Sequence, residues 1–252
     1  MKQSFHTITN NIAIAFTIAS SVLCTVKLHM TSKSVLPLDM ALNSVDDQYK
    51  DCVSETNETI YRTILKNELN KNKKFADVWE RYSKDDDLTK LIKAYTIVDF
   101  HAELNNAVRT NRKTYTKKFN FKVAHFFLTL AIQKYQVKDC VEVLRRSKNM
   151  FKKNVLGKEM RFGLFASSSR RPDLVQFGNI SCFKIQTCLG ADISEVSLYS
   201  GEKEVLIPPY EKFKIINVSQ NHMNCSVLYT LQSTGSFSNM KCELVKKNQK
   251  TM

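Results

Sequence analysis

The chain has 252 residues, 43% of them hydrophobic and 25% charged, and a formal net charge of +14. This composition is that of an ordinary globular protein, and the chain is long enough for one domain or two small ones around a sizeable core. A basic surface attracts nucleic acid, anionic membranes or anionic small molecules. The lysines are scattered, however, and no RNP-like, zinc-finger or helix-turn-helix signature accompanies them, so no nucleic-acid partner is predicted.

The N-terminus has the pattern of a secretory signal peptide. Lys2 precedes an apolar stretch with small residues near its end, NIAIAFTIASSVLCTV at residues 11–26. The apolar run is shorter than the roughly 20 residues that a membrane-spanning helix needs. We therefore predict a signal peptide over residues 1–30, cleaved between Thr25 and Ser34, with a signal anchor as the alternative.

The C-terminal sequence, CELVKKNQKTM, bears on membrane anchoring. A lipid-anchor signal requires a hydrophobic tail of about 10–20 residues, and this sequence ends without one. We expect the mature protein to be secreted, extracellular, monomeric and without a membrane anchor.

Secretion changes how the seven cysteines are interpreted. Cys24 lies in the predicted signal peptide, and the mature chain keeps Cys52, Cys140, Cys182, Cys188, Cys225 and Cys242. An even count in an oxidising compartment indicates disulfide bonds. No CxxC pair occurs, so no zinc or other metal site is predicted. Sequons that agree with export occur at Asn57, Asn179, Asn217 and Asn224.

Helical patterns dominate residues 52–135. The stretch IYRTILKNELNKNKKFADVWERYSK, residues 60–84, places apolar residues at helix-like spacing. DDDLTKLIKAYTIV, residues 85–98, begins with acids that suit a helix N-terminus. Two more helical patterns cover residues 99–111 and 121–135.

The pattern changes at Cys140, where short runs rich in valine, isoleucine and phenylalanine begin. Six runs predict strands: CVEVLR (140–145), RFGLFASSS (161–169), CFKIQTCL (182–189), EVLIP (204–208), EKFKIINVS (211–219) and CSVLYTLQS (225–233). Helices followed by strands indicate an α+β fold, with a helical layer beside a largely antiparallel sheet. We predict one domain over residues 31–252, helical at about 52–135 and β at about 140–245.

Polar side chains occupy the ends of three predicted strands. Arg145 and Arg146 lie at the end of the first, a serine triplet at 167–169 ends the second, and Glu202 and Glu204 lie in the turn that leads into VLIP. Each group alone is ordinarily a solvated charge or a surface loop. Loops carried by strand ends are nevertheless common places for functional sites.

Several enzyme classes lack their signatures in this chain. The serines are not in a G-x-S-x-G elbow, and no H-E-x-x-H, P-loop or glycine-rich dinucleotide fingerprint occurs. Glu202 and Glu204 would share one face if their segment is extended. They come from one segment, whereas the two carboxylates of a glycosidase flank the bond from opposite sides.

The order of these groups is specific. Arginine on one strand, serine on the next and E-x-E before VLIPP resemble the R-S-E pattern of the vertebrate-type, arginine-specific mono-ADP-ribosyltransferases, which are secreted or lipid-anchored ecto-enzymes. Further blocks along the mature chain resemble that family: LDMALNSVDDQYKDC, AYTIVDFHAELNNAVRT, FNFKVAHFFLT, RFGLFASSS, QTCLGADIS and EVLIPPYEKF. The resemblance implies NAD as substrate, bound in a cleft between two small sheets without a Rossmann unit, and protein arginines as acceptors.

The resemblance also assigns roles to single residues. Arg145 would bind the NAD phosphates, for which a bidentate guanidinium is well suited. Ser167 would hold the ribose side of the site. Glu204 would bond the ribose 2′-hydroxyl and stabilise positive charge as nicotinamide leaves. Glu202 would orient the acceptor guanidinium and help to remove its proton, and Tyr95 and Ser197 match positions that contact NAD.

Two disulfides follow from the same resemblance, Cys52–Cys242 and Cys140–Cys188. Cys182 and Cys225 remain, either paired with each other or free.

One departure from the family pattern concerns activity. The family has an aromatic residue before the motif arginine and a glycine after it, where this chain has Leu144 and Arg146. Glycine lets the backbone approach a ligand closely, so Arg146 either adds a phosphate contact or obstructs NAD. The leading prediction is a secreted NAD-dependent protein-arginine mono-ADP-ribosyltransferase. The alternatives are an NAD glycohydrolase and a catalytically impaired secreted binding module.

Overall fold

The structure, a computed structural model, describes residues 34–246, and its helices lie in the N-terminal half. The predicted signal peptide lies outside the described residues. The helices are α1 Val53–Thr59, α2 Leu65–Lys71, α3 Lys73–Arg81, α4 Asp87–Tyr95, α5 Val98–Thr110, α6 Tyr115–Lys118 and α7 Lys122–Lys134. A π-helical segment, Ile60–Ile64, joins α1 to α2. None of the described helices combines the length and hydrophobicity that crossing a membrane requires.

Asn72 divides the helical pattern at 60–84 into separate helices. Its backbone is extended, and its side chain accepts a hydrogen bond of 3.1 Å from the Phe75 amide in the first turn of α3. Asparagine is a favoured N-cap because its oxygen satisfies an amide without a partner in the helix. Asp86 caps α4 in the same way, as the acidic start of that stretch predicts.

The second half consists of strands. They are β1 Val141–Ser147, β2 Glu159–Met160, β3 Ala166–Ser169, β4 Ser181–Thr187, β5 Ala191–Asp192, β6 Glu204–Ile207, β7 Glu211–His222 and β8 Cys225–Ser236. All six predicted strands are present, together with the short β2 and β5, which the sequence patterns miss. The strand predicted at 161–169 begins only at Ala166, because Gly163 has a φ of +65° and the Arg161 amide donates to the Asp39 carbonyl oxygen instead of to a strand.

The strands form one mixed sheet in the order β2-β7-β8-β4-β1-β3-β6-β5. The predicted α+β class is therefore confirmed, and pairing joins all eight strands. The strands pair antiparallel except for β4 and β8, which are parallel. β1 and β3 are paired only at Leu144 and Ser169, so this narrow junction divides the sheet into a five-stranded and a three-stranded part.

Apolar side chains fill both faces of the sheet. One core joins the helices to β5 and β6, with Phe126, Leu128 and Leu206 each fully buried. A second core lies among the strands and includes Phe183 and Phe213. β1, β3 and β6 each contribute a side chain to the second core, Val143, Ala166 and Val205.

Three disulfides fasten this framework: Cys52–Cys242, Cys140–Cys188 and Cys182–Cys225. The last joins the two cysteines that the sequence left open. Cys52 and Cys242 are 190 residues apart, and constraining a loop of that length in the unfolded chain stabilises the fold by about 5 kcal/mol in the chain-entropy account.

A buried ion pair connects the start of the domain to its end. Arg161 Nη1 lies 2.6 Å from Asp46 Oδ2, and neither side chain is exposed. Asp46 also accepts hydrogen bonds from the backbone amides of Asn239 and Met240. We refer to Asp46, Arg161 and residues 238–240 as the clasp.

Candidate active site

The strand register brings the predicted catalytic residues together. β1, β3 and β6 are neighbours, and Ser169 of β3 pairs with both Leu144 of β1 and Glu204 of β6. This places Arg145 and Ser167 beside Glu204 at the junction of the two parts of the sheet. All three line one cavity of about 370 Å³, a size typical of small-molecule sites.

Arg145 brings a partly buried positive charge to this cavity. Its Nη1 donates a hydrogen bond of 2.6 Å to the Ser167 carbonyl oxygen, and its guanidinium lies 5.8 Å from the centre of the Phe162 ring. Burial lowers the pKa of Arg145, although a guanidinium keeps its proton in proteins. No described carboxylate forms an ion pair with it, so its remaining donors are available to an anionic ligand.

Glu204 brings a nearly buried carboxyl group, 7% exposed. Burial raises the pKa of Glu204 to about 7, the charge of Glu202 adds to the rise, and the Ser167 hydroxyl and Arg145 oppose it. A carboxyl group whose pKa lies near neutrality in a cavity is typical of a functional site. Arg145 and Glu204 thus line one cavity as unpaired opposite charges.

Glu202 reaches the same cavity through a turn. The segment is not extended, which was the condition for Glu202 and Glu204 to share one strand face, because Ser200–Glu202 forms a 3₁₀ turn and Lys203 is left-handed, with φ +46°. The Ser169 hydroxyl donates to the Glu202 carbonyl oxygen at 2.5 Å and fixes this turn. Burial raises the pKa of Glu202, and the charge of Arg171 opposes the rise.

Tyr95 supports the serine strand from α4. Its hydroxyl donates a hydrogen bond of 2.6 Å to the Phe165 carbonyl oxygen and accepts bonds from Asn105 and Ser167, at 2.9 and 3.4 Å. The Asn105 side chain also forms two hydrogen bonds with the Phe165 backbone: it donates to the carbonyl oxygen and accepts from the amide. Tyr95 lines the cavity, but its bonds show that it also fixes the backbone just before Ser167.

Ser197 does not line the cavity. Its hydroxyl accepts a hydrogen bond of 3.1 Å from the amide of Tyr199, which does line it. Sequence reasoning misses His101 and Asn105, which line the cavity from α5. Both look like ordinary polar positions of an amphipathic helix, and their position depends on how α5 docks on the sheet.

Arg146, the departure from the family pattern, points away from Arg145. Adjacent strand residues face opposite sides of a sheet, and the guanidinium of Arg146 donates to the Pro172 carbonyl oxygen at 2.7 Å and to Cys225 Sγ at 3.2 Å. The side chain contributes to the cavity wall, but its charged end is held by these partners.

The site can bind an anionic ligand and stabilise a cation. Arg145 supplies donors for oxyanions, and the Glu204 carboxylate, when ionised, stabilises positive charge that develops next to it. Among the described residues no group of three or more His, Cys, Asp or Glu is arranged to hold a metal. A mixed sheet with a helical layer and this Arg, Ser and Glu set defines the class of ADP-ribosyl-transferring enzymes.

Comparison with known proteins gives the family. The sequence model of the NAD:arginine ADP-ribosyltransferases matches residues 38–239. GPI-linked NAD(P)(+)–arginine ADP-ribosyltransferase 1 of Mus musculus is 33% identical over 244 residues, covering 84% of this chain and 74% of that protein. Ecto-ADP-ribosyltransferase 4 of Homo sapiens is 32% identical over 242 residues, covering 85% and 75%.

A solved structure agrees with this assignment. The structure of a variant of the eucaryotic mono-ADP-ribosyltransferase ART2.2 in complex with NADH is similar to this chain, with a TM-score of 0.72 and 30% identity. The similarity covers 82% of this chain and 99% of that chain. The protein belongs to the NAD:arginine ADP-ribosyltransferase family.

Proposed function

We propose that this protein is an extracellular, secreted enzyme that transfers ADP-ribose from NAD to arginine side chains of acceptor proteins and releases nicotinamide. The observation that carries the proposal is the convergence of Arg145, Ser167, Glu202 and Glu204 on one cavity at the β1–β3 junction. Family membership supports the reaction, and three disulfides together with the predicted signal peptide support export.

Each residue then has one step in the reaction. Arg145 binds the phosphates of NAD. As the bond between nicotinamide and ribose breaks, its electron pair leaves with neutral nicotinamide, and the ionised Glu204 stabilises the ribosyl cation. Ser167 lies between these two groups and holds the ribose. A nitrogen of the acceptor guanidinium attacks the cation, and its proton passes to Glu202.

The rigid position of Glu202 supports its role with the acceptor. Its turn is fixed by Ser169, and Arg171 Nη1 donates to the Gly201 carbonyl oxygen at 3.0 Å. These bonds hold the backbone that carries the Glu202 side chain to the cavity, and Glu202 is not one of the three strand residues that hold NAD. Removing it should affect the acceptor step more than NAD cleavage.

The test uses NAD labelled in its adenylate part and an arginine-rich acceptor protein. Wild type should give label on arginine that hydroxylamine removes. Glu202→Gln should lower this labelling at least about 100-fold while retaining NAD cleavage within about tenfold. An exposed acid of the same loop, Glu195→Gln, is the matched control. Folded wild-type protein that labels no arginine contradicts the proposal.

The second candidate function is NAD glycohydrolysis, in which water replaces the acceptor. It uses the same Arg145, Ser167 and Glu204, and the open, half-exposed surroundings of Glu202 admit water as well as a guanidinium. Release of free ADP-ribose without labelled protein distinguishes it. Calorimetry that detects no NAD binding would instead indicate the binding module without catalysis.

A further inference from the structure

Residues 170–178, here called the wall loop, form one side of the cavity through Arg171, Leu174 and Phe177. Both ends of the loop are fixed. The Arg170 amide donates to the Lys203 carbonyl oxygen at 3.1 Å. Gly178, with φ +136°, lies so close to β1 that an added Cβ would be 2.4 Å from the carbonyl carbon of Ser147.

The middle of the wall loop depends on Arg146. Among the described residues, the bond of 2.7 Å from Arg146 Nη2 to the Pro172 carbonyl oxygen is the one hydrogen bond that joins residues 172–177 to another part of the chain. The other hydrogen bonds of this segment stay within the wall loop, such as Val175 to Asp173. Without Arg146, residues 172–177 would be held by packing and by the ion pair of Asp173 with Arg171, which donates to the Gly201 carbonyl oxygen at 3.0 Å.

Arg146 is itself fixed on the opposite side by the hairpin turn between β7 and β8. Its Nη2 also donates to the Met223 carbonyl oxygen at 3.2 Å, and its Nη1 lies 3.2 Å from Cys225 Sγ and 3.6 Å from Cys182 Sγ. Cys182 is the direct partner of Arg146 in the β1–β4 pairing. The guanidinium thus connects the wall loop to a disulfide-bonded part of the sheet.

We infer that Arg146 is a positioning residue for NAD, which holds the wall loop in the shape that completes the cavity. The inference rests on the proposed function for the identity of the ligand. The sequence offered two roles for Arg146 in place of the family glycine, a phosphate contact or an obstruction, and the inference assigns neither. Instead, Arg146 replaces the close backbone approach of a glycine with a side-chain tether to the wall loop.

The chemistry of the tether requires arginine. A planar guanidinium presents donors in fixed directions and reaches Pro172, Met223 and the disulfide at once, whereas an ammonium group is a single point on a flexible stem. Because Arg145, Ser167 and Glu204 are on strands, loosening the wall loop leaves them in place. Loss of the tether should therefore weaken NAD binding and spare the chemical step.

The experiment compares Arg146→Met, Arg146→Lys and Lys148→Met with wild type. Methionine keeps a long stem and removes every donor. Lys148 is exposed, stands two residues away and forms no described hydrogen bond, so Lys148→Met is the control for loss of charge. For each protein we would measure kcat and KM for NAD cleavage, Kd for NAD by calorimetry, and hydrogen–deuterium exchange of residues 170–178 without ligand.

Arg146→Met should raise KM and Kd for NAD about tenfold, the effect of one lost charged hydrogen bond, with kcat within about twofold. Exchange should become faster in residues 172–177 and 222–225 alone. Arg146→Lys should resemble Arg146→Met, and Lys148→Met should match wild type.

Three results would overturn the inference: unchanged KM and exchange in Arg146→Met, an equal rise of KM in Lys148→Met, or faster exchange throughout the sheet. Exchange and NAD binding are read without any acceptor. A protein that binds NAD but labels no arginine therefore contradicts the proposed function. The role of Arg146 in holding the wall loop is still tested by exchange and by NAD binding.

Discussion

Arg161 and Arg145 are both withdrawn from solvent, but their surroundings differ. In the clasp, Arg161 forms an ion pair with Asp46 and donates to three backbone carbonyl oxygens, those of Met40, Ala41 and Phe237. In the cavity, Arg145 has one hydrogen bond and no described ion-pair partner. Burial of a charge is compensated within the protein in the first case, and is left for a ligand to compensate in the second.

The buried glutamates repeat this contrast. The carboxylate of Glu211 accepts from the Thr187 and Ser233 hydroxyls and from the amides of Cys188 and Leu189, and it joins β7 and β8 to the end of β4. Among the described residues, the Ser167 hydroxyl alone hydrogen-bonds the Glu204 carboxyl group, and the pKa of Glu204 is raised to about 7. A buried charged group indicates a functional site only when it lacks enough hydrogen-bond and ion-pair partners within the protein.

Replacing Glu204 should have the largest effect on activity. Glu204→Gln keeps the shape of the side chain but removes the charge that stabilises the ribosyl cation, so NAD cleavage should fall about 1,000-fold. Nicotinamide release measures it, with Glu195→Gln as the matched control. Activity above one tenth of wild type in the Gln variant would remove Glu204 from its role.

Replacing the two arginines, one at a time, should distinguish the stabilising role of the clasp from the binding role of the cavity. Arg161→Met leaves the Asp46 charge buried and unpaired, which should lower the free energy of unfolding by about 3–5 kcal/mol. Arg145→Met should change stability by less than about 1 kcal/mol, because no buried carboxylate loses its partner, but should abolish NAD binding. Urea unfolding and NAD calorimetry on both variants give the answer, and equal stability losses would contradict the contrast.

Glu204 should reduce stability at high pH. Its pKa rises from an ordinary 4.5 to about 7 on folding, so the folded state binds the proton more tightly and stability falls as pH rises through this interval. Glu204→Gln should therefore be about 2–3 kcal/mol more stable than wild type at pH 8 and equal to it at pH 4. A Gln variant no more stable at pH 8 would show that the carboxylate is solvated.

The pH dependence of activity should give the smallest effect. NAD cleavage requires ionised Glu204, so the rate should fall below about pH 7 as one proton binds. Because the charge of Glu202 raises the pKa of Glu204, Glu202→Gln should move this fall to lower pH. A pH–rate profile of nicotinamide release measures both, and an unmoved midpoint would mean that the two carboxylates do not interact.

Much of the fold follows from sequence patterns. The helix start at Asp86 and the six strands were predictable because caps and hydrophobic periodicity are local. The break at Asn72 and the late start of β3 were not, since the second depends on a backbone hydrogen bond from Arg161 to Asp39, which is distant in the sequence. The two-residue strands β2 and β5 are too short to carry a pattern.

The site was predictable in its residue types and less so in its geometry. The structure brings Arg145, Ser167 and Glu204 together because they lie on neighbouring strands. Which strands are neighbours depends on long-range pairing that local sequence patterns do not reveal. The turn that aims Glu202 depends on a hydrogen bond from Ser169. Strand alternation sets the side of the sheet that Arg146 faces, but the partners of its guanidinium include a disulfide whose pairing the sequence left open.

The Cys52–Cys242 bond has a consequence for how the chain withstands cleavage. It closes every residue between those two positions into a covalent ring, which contains all seven described helices and all eight strands. An extracellular protease that cuts one exposed loop, such as residues 170–178, opens the ring at one point and releases no fragment. The two pieces stay joined by this bond and by Cys140–Cys188, so both halves of the cavity remain on one molecule until both bonds are reduced.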